Sequence, residues 1–359
     1  MGTSSTAAPE ESVLLHRQGR VGRIVLNRPR ALNALTLDMV RRIDAALDAW
    51  EPDPSVSAVV VSGAGGRGLC AGGDVRAIRA DVLAGGGSAS RGFWREEYRL
   101  NARIARFGRD RSTLGKHYVA LMDGIVMGGG VGISAHGGVR IVTERSQVAM
   151  PETTIGFVPD VGGTYLLSRA PGGLGTHLAL TAAAVGAADA LLCGLADAFV
   201  PADRLPEFTA ALAERDVEQA LRRCAGTAPR GRLAEQRGWI DACYAADTVE
   251  EIVERLLDSG EPEAKEAAEL IAAKSPTSLK VTLAALRRAR RLDSLEQVLE
   301  QEYRVSCAAL TGPDLVEGVR AQVVDKDRAP RWSPATLAGV GAADVERHFA
   351  PVAGPRLFG

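Results

Sequence analysis

MGGGVGISAHGG, residues 127–138, sets three consecutive glycines at the leading edge of a short helical stretch. Glycine inside a helix costs about 1 kcal/mol relative to alanine, so such a run marks backbone that something must approach closely. The cluster follows HYVALMDG (117–124), a strand-like run, and precedes GVRIVTERSQVAM (138–150), which reads as one or two further strands. Strand, glycine cluster, short helix and strand in that order predict an α/β fold.

The same alternation extends upstream. VGRIVLNRP (21–29) reads as a strand ending before proline. Thr36 caps a helix that carries Val40, Ile43, Leu47 and Trp50 on one face, and EPDP (51–54) stops it. VSAVVVSG (56–63) is β-branched, apolar and followed by a glycine-rich turn, the pattern of a buried strand. DVLAGGGSASRG (81–92) reads as a mobile loop near the site. Beyond about residue 206, LPEFTAALAERDVEQALRR, VEEIVERLLDSGEPEAKEAAELIAAK and SLEQVLEQEYRVSCAAL all carry amphipathic helical spacing, and strand signals are nearly absent. The expected organisation is a disordered tail over 1–12, an α/β core over 13–205 and a helical region over 206–359. No internal repeat is evident.

Composition bounds the class. The 359 residues are 46% hydrophobic and 24% charged, which suits a globular chain with a sizeable core. A net charge of −1 gives no electrostatic ground for a nucleic-acid or membrane-surface partner. No apolar run reaches the length of a membrane-spanning helix. MGTSSTAAPEES (1–12) lacks the apolar core of a signal peptide. It fits the loose pattern for N-myristoylation, but its small polar residues read as a tail. Cys70, Cys193, Cys224, Cys243 and Cys307 are odd in number and without CxxC spacing, so they are expected to be small buried hydrophobes in a cytoplasmic protein.

Two motifs fail on inspection. GAGGRG (63–68) matches a dinucleotide-binding fingerprint, but that requires a helix and then a strand ending in an acid, and no such strand follows. It is read as a turn. GISAHG (132–137) is not a nucleophile elbow, since Ser134 falls inside the expected helix. The five histidines lack metal-ligand spacing; His136 and His177 read as structural, and no metal is expected.

Three features carry chemistry. CAGGD (70–74) sits on a loop after a strand and MGGGVG (127–132) opens a helix. Bare N–H groups from two such segments can grip one thioester carbonyl oxygen, each donor being worth about 3 kcal/mol in the transition state. Close helix–strand packing accounts equally for the glycines. In MPETTIGFVPDVGGTY (150–165), Glu152 and Asp160 lie in an otherwise apolar segment, where a carboxylate serves as base or nucleophile with its pKa tuned by burial. The structural alternative is that Glu152 caps a turn and Asp160 opens a helix.

Taken together, ALNALTLDMV (31–40), GLCAGGDVRAI (68–78), MDGIVMGGGVGIS (122–134) and AMPETTIGFVPDVGGTYLLSR (149–169) resemble the crotonase, or enoyl-CoA hydratase/isomerase, superfamily. FWREEYRLN, KSPTSLKVTL, EYRVS and EGVRAQVVDKDRAPRW bring the resemblance closer to its 3-hydroxyisobutyryl-CoA hydrolase branch, over roughly residues 20–333. The resemblance implies a spiral of repeated ββα units with a helical C-terminal region, binding coenzyme A thioesters. By motif position the amides of Gly73 and Gly129 form the oxyanion hole, Glu152 is the catalytic acid–base or nucleophile, Asp160 orients water or the substrate hydroxyl, and Glu97 contacts substrate. It implies no separate cofactor, CoA being part of the substrate, and is compatible with a homo-oligomer. FGRDRSTLGKH (107–117) is longer than the connection usual in the family.

One departure separates the reactions. Hydratases of this superfamily carry two glutamates, because adding water across a double bond needs a base for the water and an acid for the α-carbon. The first of those positions is Gly132 here, and only Glu152 remains. Thioester hydrolysis asks for less: Glu152 either attacks the carbonyl to give a mixed anhydride or activates a water. The expected activity is therefore release of 3-hydroxyisobutyrate from its CoA ester, a step of valine breakdown. A hydratase or isomerase using Asp160 as second group, and a non-catalytic acyl-CoA binder, are the rivals.

Overall fold

The computed structural model describes residues 11–109 and 115–358. The tail over 1–10, with its myristoylation pattern, and residues 110–114 of the long connection lie outside the described residues. The core is a spiral in which the chain alternates between two sheets. Strands β1 (Val13–Gln18), β2 (Val21–Leu26), β3 (Ala58–Gly63), β5 (His117–Met122), β7 (Val139–Val142) and β9 (Ala198–Phe199) lie side by side in that order in one sheet. β4 (Gly68–Cys70), β6 (Ile125–Met127) and β8 (Gln147–Ala149) form a second, three-stranded sheet. The pairs β3/β4, β5/β6 and β7/β8 each give one strand to each sheet, while β1, β2 and β9 extend the first alone, and this is the α/β architecture expected.

β3 and β5 are buried on both faces, as parallel strands covered by helices are. Val59 and Val61 of β3 point to the main core, while Ala58 and Val60 point to a second cluster closed by Phe208, Leu212, Val217 and Ala220. β1 was not foreseen. It pairs antiparallel with β2 through a turn at Gly19, and all its residues but Val13 are exposed, so it carries no core periodicity to read.

Helix α1 (Leu37–Trp50) starts where expected, with the Thr36 hydroxyl accepting from the Met39 N–H at 3.3 Å. The stretch over 81–92 corrects the sequence reading. It is no loop: α2 (Val75–Gly85) and α3 (Ser88–Arg109) run through it, joined by a turn at Gly86 and Gly87, both at positive φ near 80°. Asp81 secures that turn by accepting from both the N–H and the hydroxyl of Ser90 at 2.7 Å. The glycines thus serve one tight reversal, while the flanking Ala, Val, Leu and Arg residues support the helices. α4 (Gly129–Gly132) is also shorter than expected, so Ser134 follows the helix and its hydroxyl donates to the Gly130 carbonyl at 2.6 Å.

After β9 the described chain is helical, and the main core runs without interruption from Ile24 and Val59 to Leu299, Leu315 and Val319. All five cysteines are buried and unbridged. His136 pairs through Nε2 with the Val161 carbonyl at 2.8 Å, and His177 through Nδ1 with the Tyr244 hydroxyl at 2.9 Å, structural roles in both cases.

Candidate active site

The second sheet positions the site. Its three short strands run parallel, with Ile125 opposite Gly68 and Gln147, and Met127 opposite Ala149. The residues that follow them therefore emerge side by side: Gly72 and Gly73 after β4, Gly128 and Gly129 after β6, Glu152 after β8. Ligands in α/β sheets sit outside the carboxyl ends of strands in this way. A cavity of about 240 Å³ opens there, lined by Gly73, Gly129, Glu97, Glu152 and Asp160 together with the stacked rings of Trp94 and Phe157. All five residues singled out from the sequence face this one cavity.

The amide side is held by a clamp. The Leu35 N–H donates to the Gly72 carbonyl at 2.8 Å, and the Asp74 N–H donates back to the Leu35 carbonyl at 2.9 Å. Asp74 then caps α2 and pairs with Arg28 at 3.1 Å. Among the described residues, neither the Gly73 nor the Gly129 N–H donates to another group, so both remain available to an acceptor in the cavity. A Cβ added at Gly129 would lie 3.3 Å from the Gly73 nitrogen and 2.7 Å from Glu97 Oε1, which shows how closely the two amides and the acid converge.

Function and packing share the glycine cluster. Gly128 adopts φ +49°, and a Cβ there would come within 2.8 Å of Glu152 Oε1. Gly130 instead packs against the Cys70 carbonyl, 2.3 Å from a notional Cβ. Gly132 faces Val161 Cβ at 2.6 Å and Asn101 Nδ2 at 2.9 Å. No carboxylate side chain fits at Gly132 unless Val161 moves, and Val161 is braced. It sits at φ +51°, strained for a β-branched residue, while Glu302 accepts from the N–H groups of Gly162 at 2.6 Å and Thr164 at 2.9 Å just beyond it.

The carboxyl side is crowded and dry. Glu97 and Glu152 are buried, and Glu97 Oε1 and Glu152 Oε2 have no hydrogen-bond partner. Burial first, and then the charge of Asp160, hold both well above the usual carboxylate range. Burial likewise pushes Asp160 up to about 7, opposed by the Tyr98 hydroxyl, which donates to Asp160 Oδ2 at 2.7 Å. Desolvation of this size is what groups tuned for proton or acyl transfer experience. Glu152 begins a 3-10 turn, Glu152–Ile155, and Asp160 precedes the helix α5 (Gly163–Leu167), but Pro151 and Gly162 hold the N-cap positions and no side chain caps either element, so the capping alternative does not account for the two acids.

Three participants were missed from sequence. Tyr98 and Ser306 are fully buried and joined at 2.7 Å, and Glu302 lies one turn before Ser306 on the helix Leu295–Ala309. The signal was present in REEY (95–98) and EYRVS (302–306), but pairing across some two hundred residues leaves no local period. Among the described residues, no group of three or more His, Cys, Asp or Glu is placed to hold a metal.

Comparison with known proteins establishes the family. Residues 21–349 match the enoyl-CoA hydratase/isomerase family. The chain is 42% identical to the mitochondrial 3-hydroxyisobutyryl-CoA hydrolase of Gallus gallus, over 95% of this chain and 89% of that one, and 43% identical to the Danio rerio protein of the same name, over 96% and 91%. Among solved structures it resembles a carnitinyl-CoA dehydratase from Mycobacterium thermoresistibile, with TM-score 0.91 and 55% identity over 97% of this chain and 98% of that one. It also resembles an enoyl-CoA hydratase from Rhodobacter sphaeroides, with TM-score 0.88 and 43% identity over 95% and 98%. The spiral fold, the two converging glycine amides and these relatives give one conclusion: the chain belongs to the enoyl-CoA hydratase/isomerase family.

Proposed function

We propose that the protein hydrolyses acyl-CoA thioesters, with 3-hydroxyisobutyryl-CoA as its substrate, releasing 3-hydroxyisobutyrate and CoA in valine breakdown. The observation that carries this reading is the closed corner at Gly132. Val161 fills the space a second hydratase glutamate would need, while Glu152 remains beside two free amides.

In this reading the thioester carbonyl oxygen accepts from the Gly73 and Gly129 N–H groups, which stabilise the oxyanion as the carbonyl carbon becomes tetrahedral. The Glu152 carboxylate attacks that carbon, or removes a proton from a water that does. The C–S bond then breaks, and the CoA thiolate takes a proton from Glu152, where that group had deprotonated the water, or from solvent. On the covalent route a water then hydrolyses the Glu152 mixed anhydride, which releases the acid and restores the carboxylate. Trp94 and Phe157 exclude bulk water, which strengthens both the hydrogen bonds and the charge of the nucleophile. Asp160 orients water or the substrate hydroxyl, and Glu97 contacts the acyl group. No separate cofactor is required. The buried, unbridged cysteines support a reducing compartment, the cytoplasm in our reading, although the relatives named above are mitochondrial. No described helix is long and apolar enough to cross a membrane.

A second reading has an observation of its own. Asp160 and Glu97 share the cavity with Glu152, so a second proton-transfer group is present even with Gly132 closed. The names of the two solved relatives, a dehydratase and a hydratase, point the same way. The test is free-thiol release from 3-hydroxyisobutyryl-CoA, with the enoyl absorbance of crotonyl-CoA followed in parallel. Rapid thiol release with unchanged absorbance is the expected result. Loss of absorbance without thiol overturns it in favour of hydration, and tight binding without either turnover means an acyl-CoA binder.

A further inference from the structure

Asp160 reaches the cavity on the loop that leads into α5. Its Oδ2 accepts from Tyr98 at 2.7 Å, and the Tyr98 hydroxyl in turn meets Ser306 Oγ at 2.7 Å. Tyr98 lies on α3 and Ser306 on the helix Leu295–Ala309, which pack against each other. Both are fully buried, and neither lines the cavity. The Tyr98 ring is fixed edge-on to Tyr303, with centroids 6.2 Å apart. An ionised carboxylate only accepts hydrogen bonds, so the phenol donates to Asp160 and the serine hydroxyl donates to the phenol.

We propose that Tyr98, backed by Ser306, is a positioning residue that aims the Asp160 carboxylate into the cavity and keeps it charged there. This deepens the hydrolase reading and rests on it for the use made of Asp160, but not for the geometry. The environment makes such a device necessary. Glu97 on α3, Glu152 on the 3-10 turn and Glu302 on the helix Leu295–Ala309 all face this region, and each would repel a charge on Asp160 when itself ionised. His136, from the turn after α4, is occupied by the Val161 carbonyl next along the chain. The Tyr98 hydroxyl is the one side-chain donor to the Asp160 carboxylate among the described residues. A hydrogen bond to an ionised acceptor is shorter and stronger than one between neutral groups. Ser306 polarises the phenol further in the same direction.

The sign follows directly. A donor to the charged form lowers the carboxyl pKa, so removing it moves the titration of Asp160 upward. The probe is the infrared carboxyl band that is present in the wild type and absent from Asp160→Asn, followed against pH. In the wild type its midpoint falls near neutrality. In Tyr98→Phe, which keeps the ring, the midpoint moves up by about one pH unit, and kcat/KM for thiol release falls about tenfold near pH 6 but less near pH 8. Ser306→Ala moves the midpoint the same way by a smaller amount.

An unmoved midpoint in folded Tyr98→Phe overturns the proposal, even if activity is lost, because a purely structural role leaves the titration where it was. If Tyr98→Phe does not fold, Ser306→Ala decides alone, and an unmoved midpoint there has the same meaning. The band does not depend on turnover. A wild type that releases no thiol therefore overturns the hydrolase reading, while the titration still decides the role of Tyr98.

Discussion

The two walls of the cavity are built by opposite means. One is backbone: Gly73 and Gly129 present bare amides where two neighbouring parallel strands end. The other is side chain: Glu97 from α3, Glu152 from a 3-10 turn and Asp160 from a loop converge in a place too dry to hold three charges. The amide wall follows from local rules, since glycine permits the turns and the register of β4, β6 and β8 aligns them. The carboxyl wall depends on elements far apart in the chain. The contrast teaches a division of labour. Donors for developing negative charge are fixed before any ligand arrives, whereas the acids are pressed toward neutrality by burial and by one another.

The largest effect is expected on the carboxyl wall. Glu152→Gln should lower thiol release by about 10³-fold or more, in the upper range for removing a positioned acid–base group. Binding of the CoA ester, measured by calorimetry, should persist. Near-normal turnover in that variant would mean the chemistry is not on this wall.

On the amide wall, Gly129→Ala should cost about 10² to 10³ in kcat, comparable to losing an oxyanion donor. The added methyl meets Glu97 Oε1 at 2.7 Å and Leu35 Cδ1 at 3.1 Å, so the amide must shift or the acid must move. A variant with wild-type kcat would remove Gly129 from the oxyanion hole.

Asp160 tests whether the acids act against one another. Asp160→Gly should lower hydrolysis by about ten- to a hundredfold, and an unchanged rate would take Asp160 out of the site. Asp160→Asn carries a stability prediction with a definite sign. Folding raises the Asp160 pKa from 3.8 to about 7, so across that window the folded chain keeps a proton that the unfolded chain releases. Stability therefore falls as pH rises through the window. The asparagine variant should melt higher than the wild type near pH 8, with the gain shrinking near pH 4. A gain equal at both values would mean that Asp160 does not titrate as described.

What was legible in the sequence divides along the same line as the walls. The buried strands, the glycine loops and the two acids of MPETTIGFVPDVGGTY stand in short segments whose composition betrays them, and the loops and acids meet at one cavity. The stretch over 81–92 misled because Gly86 and Gly87 look like a flexible loop when only a two-residue reversal uses them. β1 gave no signal because a strand with one buried residue has no alternation. Tyr98, Glu302 and Ser306 stood in quoted motifs, but their partners lie on the far side of the chain. Long-range hydrogen bonds leave no periodicity, so only the folded structure reveals them.

The smallest expected effect separates the two glycines of the amide wall from each other. A Cβ at Gly73 meets the Phe93 ring at 3.4 and 3.6 Å, ordinary van der Waals contact, and Gly73 does not adopt positive φ. Its amide is aimed by the Leu35 clamp on Gly72 and Asp74, which a methyl at residue 73 leaves intact. Gly73→Ala should therefore change kcat/KM by no more than about threefold, the scale of an unstrained substitution. Set beside Gly129→Ala, this isolates crowding from donation: both residues supply an amide, but only one has no room for a side chain. If Gly73→Ala proves as damaging as Gly129→Ala, Phe93 has no freedom to yield, and the wall facing the substrate is rigid from the amides through to α3.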